Sequence, residues 1–317
     1  MKILLVGPGI MPIPNDGWGA VEILIWQLKI HLEKQGHKVD ILNERGLKAA
    51  LKAQPWKYDL VHLHYDELAD SWIKLARWLK LRLVITTHYG YAALPDRWDD
   101  YYKKIFTDLM RSPALLVLSP EIEQVFLDHG YKGWIRVSPN GTEASVIKFK
   151  PRGNGKAICL GKIEPRKQQA KLARKINELG SVSCDFAGPI IDKTFKPDDK
   201  HTKYLGTWTR QEVQTKLTNY STLVLISDGE AHSLVVLEAL AAGLSVVVSE
   251  EASANLDRSL PWINVCQKVD AKAIGTIKKA VNENHKYRSQ IRDYAEKNFD
   301  WAKVTERYVK IVSEYAR

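Results

Sequence analysis

One segment constrains the fold of this chain most, because a strand, a loop, a helix and a second strand follow one another in it. Residues 222–226 form a short apolar, β-rich run, and residues 244–249 are predicted to form a second buried strand. Between them, Ser233 is a natural N-cap, residues 234–242 are good helix formers, and Gly243 is a natural helix stop. In such a unit the loop opens at the carboxyl end of the first strand, where ligands of open α/β sheets bind.

Two carboxylates in this unit are candidates for ligand binding. Glu230 lies in the loop, and Glu238 lies on the helix. The free N–H groups at the start of the helix favour an anion, so Glu230 would lie beside that anion. Glu238 can accept hydrogen bonds from the two neighbouring hydroxyls of a ribose. An isolated pair of this kind is more often a loop charge and a solvated helix residue, so the rest of the chain has to decide between the two interpretations.

The segment resembles the Glu-x7-Glu signature of retaining glycosyltransferases of the two-domain GT-B type, specifically family 4. The resemblance implies that Glu230 contacts hydroxyls of the donor sugar as a catalytic residue and that Glu238 binds the ribose. The donor-binding candidates at the helix start are Ser233, Leu234 and Val235. The family usually continues the first Glu with Gly-Phe-Gly, whereas residues 231–233 are Ala-His-Ser. Both glycines that would allow close backbone approach are therefore replaced.

A basic loop upstream shares a second feature with the family. A strand at residues 157–160 ends in Gly161, and the loop that follows is similar to the family's Gly-Arg…Lys-Gly element, with Lys162 at the position that is often Arg and Lys167 at the Lys. Both lysines would neutralise the donor diphosphate. Lys167 is also a catalytic candidate, because a leaving nucleoside diphosphate gains negative charge as the glycosidic bond breaks. Gly188, after the next strand, resembles the family's segment around the nucleobase and is a donor-binding candidate.

The Gly-rich loop after the first strand gives a third match. Such a loop is also typical of dinucleotide-binding folds, but Pro12 stands where that motif requires its third glycine, so the oxidoreductase interpretation fails. The loop resembles the family's Gly-Gly-x-Glu element, with Gly19 at the first glycine, Ala20 at the second and Glu22 at the acid. The resemblance implies that Gly19 contacts the donor, and it makes Trp18 and Glu22 candidates on the acceptor side.

Two further strands are predicted to end in histidines. His62 and His64 lie in one of them, and His88 follows the other. Because the carboxyl ends of parallel strands meet at one edge of a sheet, these side chains would face the same crevice. The resemblance implies that His88 points at the donor sugar as a catalytic residue, and His64 is an acceptor-side candidate. Three histidines also suggest zinc, but no Cys or acidic ligand lies at a familiar metal spacing, so no metal site is expected.

These elements predict an α/β protein of the GT-B fold, with two Rossmann-like domains whose parallel sheets face each other across a cleft. Residues 1–150 are predicted to form the N-terminal, acceptor-side domain, and residues 151–290 the nucleotide-sugar-binding domain. Residues 291–317 are predicted to form a C-terminal helix that packs back on the N-terminal domain. At 317 residues, with 45% hydrophobic residues, the chain is long enough for two domains of about 150 residues with their own cores.

The net charge of +10 lies mainly in the second half of the chain. Residues 1–150 carry 20 Lys and Arg against 17 Asp and Glu, which leaves 27 against 20 for residues 151–317. A basic domain suits a nucleoside diphosphate, but also nucleic acid or an anionic membrane. No recognised nucleic-acid module accompanies the charge, so no nucleic acid partner is expected. The basic, aromatic helix at residues 72–80 leaves weak peripheral contact with a membrane open.

The resemblance implies a retaining hexosyltransferase that moves a sugar from a UDP- or GDP-sugar to a hydroxyl of a glycan or a lipid-linked acceptor. No metal or other cofactor is expected, because lysines and helix N-termini can balance the diphosphate. Three scattered cysteines and the lack of a signal peptide or apolar span predict a cytoplasmic protein, with peripheral attachment to a membrane left open. The alternatives are a catalytically silent protein that binds a nucleotide sugar or a membrane surface, and another GT-B enzyme such as an epimerase or a phosphorylase.

Overall fold

The chain folds into two compact units. The computed structural model describes residues 1–15, 19–196 and 199–316. Unit 1 comprises Met1–Gly141 with Trp301–Arg317, and unit 2 comprises Thr142–Asp300. In the described residues, each unit has one six-stranded sheet whose paired strands are parallel.

Unit 1 has the sheet order β2-β1-β3-β4-β5-β6. Its strands are β1 (Lys2–Val6), β2 (Lys38–Leu42), β3 (Leu60–Leu63), β4 (Leu83–Thr86), β5 (Ala114–Val117) and β6 (Trp134–Val137). Its first helices are α1 (Ala20–Lys34), α2 (Leu47–Lys52), α3 (Ala69–Leu79), α4 (Asp100–Leu109) and α5 (Pro120–Asp128). Every residue of β3, β4 and β5 is buried, which explains why these strands are almost continuous apolar runs: a parallel sheet is covered on both faces.

Unit 2 has the sheet order β12-β11-β10-β7-β8-β9. Its strands are β7 (Ala157–Leu160), β8 (Cys184–Ala187), β9 (Thr202–Tyr204), β10 (Thr222–Leu225), β11 (Ser245–Val248) and β12 (Ile263–Val265). Its helices are α6 (Gln169–Leu179), α7 (Arg210–Lys216), α8 (Leu234–Ala241), α9 (Ala271–Glu283) and α10 (Arg288–Phe299). The predicted strand-loop-helix-strand unit is present as β10, α8 and β11, and Gly243 ends α8 with a positive φ of 82°. The predicted α/β architecture is confirmed.

The last helix, α11 (Trp301–Ala316), belongs to unit 1. Its buried residues recur at helical spacing: Trp301, Val304, Tyr308 and Val312. Gln35 at the end of α1 donates a 2.6 Å hydrogen bond to the hydroxyl of Thr305, and the Tyr308 hydroxyl lies 2.8 Å from Nδ1 of His62. The terminal helix is thereby fixed to both α1 and the central strand β3.

The observed division differs from the predicted boundaries at both ends of unit 2. Residues 142–150 belong to unit 2, where the backbone N–H of Thr142 bonds the carbonyl of Phe299 at 2.8 Å. Residues 291–300 also belong to unit 2, because α10 continues through them and packs on α8. The segment that packs with unit 1 therefore begins at Trp301 and not at residue 291.

Candidate functional site

The loops after β7 and β10 form the core of the candidate site in unit 2. Because β7 and β10 are neighbouring parallel strands, the loops that follow them start at the same edge of the sheet. The two loops are bonded directly: the backbone N–H of Asp228 donates to the carbonyl of Arg166 at 2.8 Å, and the Gln168 amide donates to the Asp228 carboxylate at 2.6 Å. This is the edge at which open α/β sheets bind ligands.

Glu230 lies among cations in this pair of loops. Its side chain is 12% exposed, and Nη1 of Arg166 donates to its Oε1 at 3.2 Å. Lys167 Nζ lies 4.0 Å from the same oxygen, and the Lys167 side chain is also largely buried. Arg166 is further fixed by Glu164, whose Oε1 accepts from Nη2 at 2.8 Å. The predicted pair Glu230 and Lys167 is therefore brought together, whereas Lys162 is exposed to solvent.

The start of α8 follows Glu230 directly. Ser233 is its N-cap residue, and the Ser233 side chain makes no capping hydrogen bond. Leu234 and Val235 are half-buried and supply the first backbone N–H groups of the helix. Because such N–H groups have no partner within a helix, they can donate to an anion at the opening of the loop.

Glu238 lies one turn further along α8, and its side chain is 7% exposed. Its carboxylate accepts a close, charge-assisted hydrogen bond from the guanidinium of Arg210, the first residue of α7. The carboxylate predicted to bind a ribose is thus held by a cation. A ribose hydroxyl would bind this carboxylate beside the Arg210 guanidinium, or would displace the guanidinium from it.

Gly188 has a structural reason for being glycine. Its φ is +137°, and a Cβ at this position would lie 2.0 Å from the carbonyl oxygen of Gly161. Gly161, with φ of +133°, itself donates its N–H to the carbonyl of Ala187 at 2.9 Å. The two strand ends therefore approach so closely that only glycine fits at residue 188. A donor contact at Gly188 remains a prediction.

His232 is a buried residue of the loop that carries Glu230. It is 6% exposed, its ring lies 5.8 Å from that of Phe299, and burial lowers its pKa to about 4. His232 is therefore neutral at pH 7. Together with buried Ala231, it fills the position at which the resembled family has Gly-Phe.

Replacing His232 with Phe should make the protein less sensitive to acid. The folded state binds the proton of His232 only near pH 4, whereas an unfolded chain binds it near pH 6.5, so the unfolded state takes up more protons as the pH falls below 6.5. Between pH 7.5 and pH 5, the wild type should lose about 2 kcal/mol more unfolding free energy than His232→Phe. Urea titrations at both pH values measure this difference. As a control, His285→Phe, at an exposed histidine, should lose as much unfolding free energy between the two pH values as the wild type. Equal losses in all three proteins would contradict the expectation.

In unit 1, Gly19 and Glu22 lie at the start of α1. Gly19 is the N-cap residue, and a Cβ there would lie 2.6 Å from Oε2 of Glu22 and 2.3 Å from the amide nitrogen of Asn15. Glu22 is 5% exposed, so its carboxylate folds back over the glycine. This close packing accounts for glycine at residue 19. Trp18 lies outside the described residues.

The three predicted histidines meet at the carboxyl ends of β3 and β4. Nδ1 of His64 lies 2.9 Å from Nε2 of His88, and the ring of His62 lies 3.9 Å from that of His64. Burial, with the neighbouring imidazoles adding to it, lowers the pKa of His62 and His64 well below the usual value. Burial also lowers the pKa of His88 to about 4. All three rings are therefore neutral at pH 7.

Asp66 is a buried carboxyl beside this cluster that no sequence motif identifies. Its Oδ2 accepts hydrogen bonds from the hydroxyls of Thr87, at 2.7 Å, and Tyr91, at 3.0 Å, while Oδ1 is buried without a partner. Burial raises the pKa of Asp66 to about 7, and the two hydroxyls act in the opposite direction. Its position two residues after His64, past the end of β3, is the one signal in the sequence that points to it.

Arg166 and Arg210 were not predicted either. Arg166 lies inside the basic loop between two predicted lysines, so its neighbourhood was identified but not its contact with Glu230. Arg210 begins a helix 28 residues before Glu238, and no motif connects the two. Among the described residues, no set of His, Cys, Asp and Glu side chains is arranged to hold a metal ion. Within residues 1–15, 19–196 and 199–316, no helix has the length and apolar character needed to cross a membrane.

Comparisons with known proteins agree with this architecture. Residues 39–146 match the model of Glycosyltransferase Family 4. The structure is similar to a sucrose-phosphate synthase from Thermosynechococcus elongatus, with a TM-score of 0.78 at 15% identity, over 99% of this chain and 98% of that one. It is also similar to HepE from Anabaena in complex with UDP and glucose, with a TM-score of 0.76 at 13% identity, over 99% and 100% of the two chains. A glycosyltransferase from Rickettsia africae gives a TM-score of 0.73 at 15% identity, over 100% and 98%.

At these low identities the structural likeness concerns the fold, and the fold is GT-B. The predicted resemblance to GT-B glycosyltransferases of family 4 is confirmed, by the family match over residues 39–146 and by the fold over the whole chain. The family match lies in the first half of the chain, whereas Glu230 and Glu238, which carried the prediction, lie outside it. No curated protein sequence matches this chain.

Proposed function

We propose that this GT-B protein, whose residues 39–146 match glycosyltransferase family 4, is a retaining glycosyltransferase that uses a nucleotide-sugar donor. The observation that carries the proposal is the cluster in unit 2 of two largely buried carboxylates, three cations and a helix start, built around the carboxyl ends of β7 and β10. A nucleoside diphosphate needs positive charge for its phosphates and carboxylate acceptors for its ribose. This cluster offers both.

Each group of the cluster has a role in the proposed reaction. Lys167 and the N–H groups of Leu234 and Val235 bind the diphosphate and stabilise the charge that it gains on leaving. Glu238 accepts hydrogen bonds from the ribose hydroxyls, with Arg210 balancing the charge of this buried carboxylate and orienting it. Glu230, fixed by Arg166, accepts hydrogen bonds from the sugar. The protein then works by positioning and electrostatic stabilisation.

The chemistry needs no protein nucleophile. In the proposed step, the bond between the anomeric carbon and the phosphate oxygen breaks, and a bond to the acceptor oxygen forms on the same face of the sugar. The acceptor's proton passes to the departing phosphate. A UDP-sugar is the favoured donor, because similar structures of HepE were solved with UDP and with UDP-glucose. The acceptor is a hydroxyl of a glycan or a lipid-linked molecule.

A second candidate function is a protein that binds a nucleotide sugar without turning it over. The observation in its favour is the loop at residues 231–233, in which Ala231 and His232 are buried and replace the residues of the resembled family. Slow donor hydrolysis without acceptor distinguishes the two functions, since a transferase releases UDP and free sugar, whereas a binding protein leaves the UDP-sugar intact.

Nucleotide binding can be tested by thermal shift with UDP, GDP, ADP and their common sugar conjugates. A ligand at 100 times its Kd should add about 2.7 kcal/mol to the free energy of unfolding, so one nucleotide family should raise Tm clearly. The shift should disappear in Glu238→Ala and in Glu238→Gln, which keeps the side-chain shape. Glu250→Ala is the matched control, because Glu250 also pairs with an arginine, Arg258, but is largely exposed. No shift with any nucleotide, or an equal shift in the Glu238 variants, would contradict the proposed donor site.

A further inference from the structure

A cavity of about 540 Å³ lies in unit 2 at the amino-terminal ends of β7, β8 and β9. Its volume is in the range of small-molecule sites. The proposed donor site lies at the carboxyl ends of β7 and β10, so the length of a strand separates the two places. Because β7 has four residues, that length is about 13 Å. The cavity is therefore distinct from the donor site, and all of its lining residues belong to unit 2.

A tight turn at residues 199–202 forms one wall of this cavity. The backbones of Asp199 and Thr202 exchange two hydrogen bonds, at 3.1 and 3.3 Å, and Asp199 Oδ1 accepts from the Lys200 N–H at 2.6 Å. Asn177 of α6 bonds the turn twice, because it accepts from the His201 N–H at 3.1 Å and donates to the Thr202 hydroxyl at 2.8 Å. Lys200 and His201 therefore line the cavity from a fixed backbone.

A buried carboxylate positions another cation of the cavity. Asp185 lies in β8, and its side chain is 8% exposed. Its Oδ2 accepts from the Tyr220 hydroxyl at 2.8 Å, and its Oδ1 accepts from Nζ of Lys156 at 3.4 Å. An ammonium group has three N–H donors, so this contact leaves two donors of Lys156 for a ligand. On the other side of Asp185, its partner in the register of the sheet is Lys203 of β9.

The charge of the lining favours an anion with two negative charges. The negative charge of Asp185 is balanced by Lys156, and one oxygen of Asp199 is occupied by the turn. Lys200 and Lys203 line the same cavity, and neither forms an ion pair with a carboxylate in the part of the chain that the structure describes. A phosphate monoester carries close to two negative charges at pH 7 and has three acceptor oxygens. It therefore matches two unpaired ammonium groups and the remaining donors of Lys156.

We propose that this cavity is a second ligand site, which binds the phosphate group of a small phosphorylated molecule. Lys200 and Lys203 contact the phosphate, and Lys156 is the third cation. The volume leaves room for the group that the phosphate is attached to, and Ser183 and Asp199 line the cavity as polar contacts for that group. Since the site lies at the opposite end of β7 from Lys167, its ligand is a different molecule from the proposed sugar donor. The inference does not depend on the proposed function.

Inorganic phosphate is the probe that tests this site. Calorimetric titration at pH 7.5 and low ionic strength measures its Kd. Lys200→Met and Lys203→Met, each at an exposed residue, should each weaken phosphate binding about tenfold, because each removes one charge-assisted hydrogen bond. Lys193→Met is the matched control, at an exposed lysine of unit 2 that does not line the cavity, and it should leave the Kd unchanged.

Lys167→Met distinguishes the cavity from the donor site, which also offers contacts to a phosphate. This variant should retain the phosphate site that Lys200→Met and Lys203→Met weaken, and those two variants should bind UDP as the wild type does. The inference would be overturned if phosphate did not bind to the wild type. It would also be overturned if phosphate binding were lost in Lys167→Met and unchanged in Lys200→Met and Lys203→Met. Failure of UDP to bind would contradict the proposed function and leave this inference standing.

Discussion

Glu230→Gln is expected to lower turnover of the nucleotide-sugar donor about 100-fold, the size of effect seen when one preorganised catalytic contact is removed. The substitution keeps the shape of the side chain but removes its charge, so the sugar loses a charged acceptor and Arg166 loses one of its two anionic partners, the one at 3.2 Å. Because the Glu230 side chain lies in a loop and is not part of a hydrophobic core, the fold should remain intact. The measurement is donor hydrolysis without acceptor, followed by UDP release, together with Tm.

Glu164→Gln is the matched control for this experiment. Glu164 pairs with the same guanidinium, at 2.8 Å, and its side chain is also mostly buried, at 23% exposed against 12% for Glu230. It lies outside the predicted donor-binding set. If Glu164→Gln reduces turnover as much as Glu230→Gln, the effect comes from disturbing Arg166. Full turnover in Glu230→Gln would show that the catalytic assignment is wrong.

The sequence predicts the architecture well because the buried strands are short, almost purely apolar runs that end in glycine or polar residues. Residues 157–160 and 222–225 are examples, and both are strands with every residue buried. The turn at Gly243 is predicted because a helix that ends with a left-handed residue needs glycine. These signals are local, so they can be read without knowing what lies next to them in the fold.

The domain boundaries were less predictable because they depend on long-range contacts. Residues 142–150 look like the end of the first domain, but their carbonyls are bonded by arginines of α10: Arg288 donates to Lys150, and Arg292 donates to Ala144. A helical pattern of apolar residues also does not show which of two adjacent apolar residues is the buried one. In α11, for example, Ile311 and Val312 are both apolar, but Ile311 is only partly buried and Val312 is fully buried.

The sequence predicted several residues of the candidate site, but it did not predict which residues contact each other there. Motif spacing identified Glu230, Glu238 and Lys167, since the two carboxylates flank a helix start. It gave no sign that Arg210 pairs with Glu238, because that contact joins two helices whose paired residues are 28 positions apart in the sequence. Nor did it identify Asp66, whose significance comes from burial and not from its position in a motif.

Arg288→Met should destabilise the protein more than any of the other substitutions, by about 3–5 kcal/mol of unfolding free energy. Arg288 is 1% exposed, and burial lowers its pKa to about 10, so it remains a cation at neutral pH. Its guanidinium donates to the backbone carbonyls of Lys150 at 2.8 Å, Tyr220 at 2.7 Å, Thr218 at 2.8 Å and Ala242 at 3.1 Å. Methionine fills the volume but leaves these buried acceptors without a donor.

Arg288→Lys separates the charge from the geometry. Lysine keeps the positive charge, but its single ammonium group cannot donate to all of the carbonyls that the planar guanidinium reaches. The stability of Arg288→Lys should therefore lie between those of the wild type and Arg288→Met. Lys286→Met, at an exposed residue two positions earlier, should change stability by less than about 0.5 kcal/mol. Urea denaturation at pH 7.5 compares the four proteins. A loss below about 1 kcal/mol in Arg288→Met would show that water can replace the guanidinium. The backbone at Lys150, the loop before β10 and the end of α8 would then not depend on this one side chain.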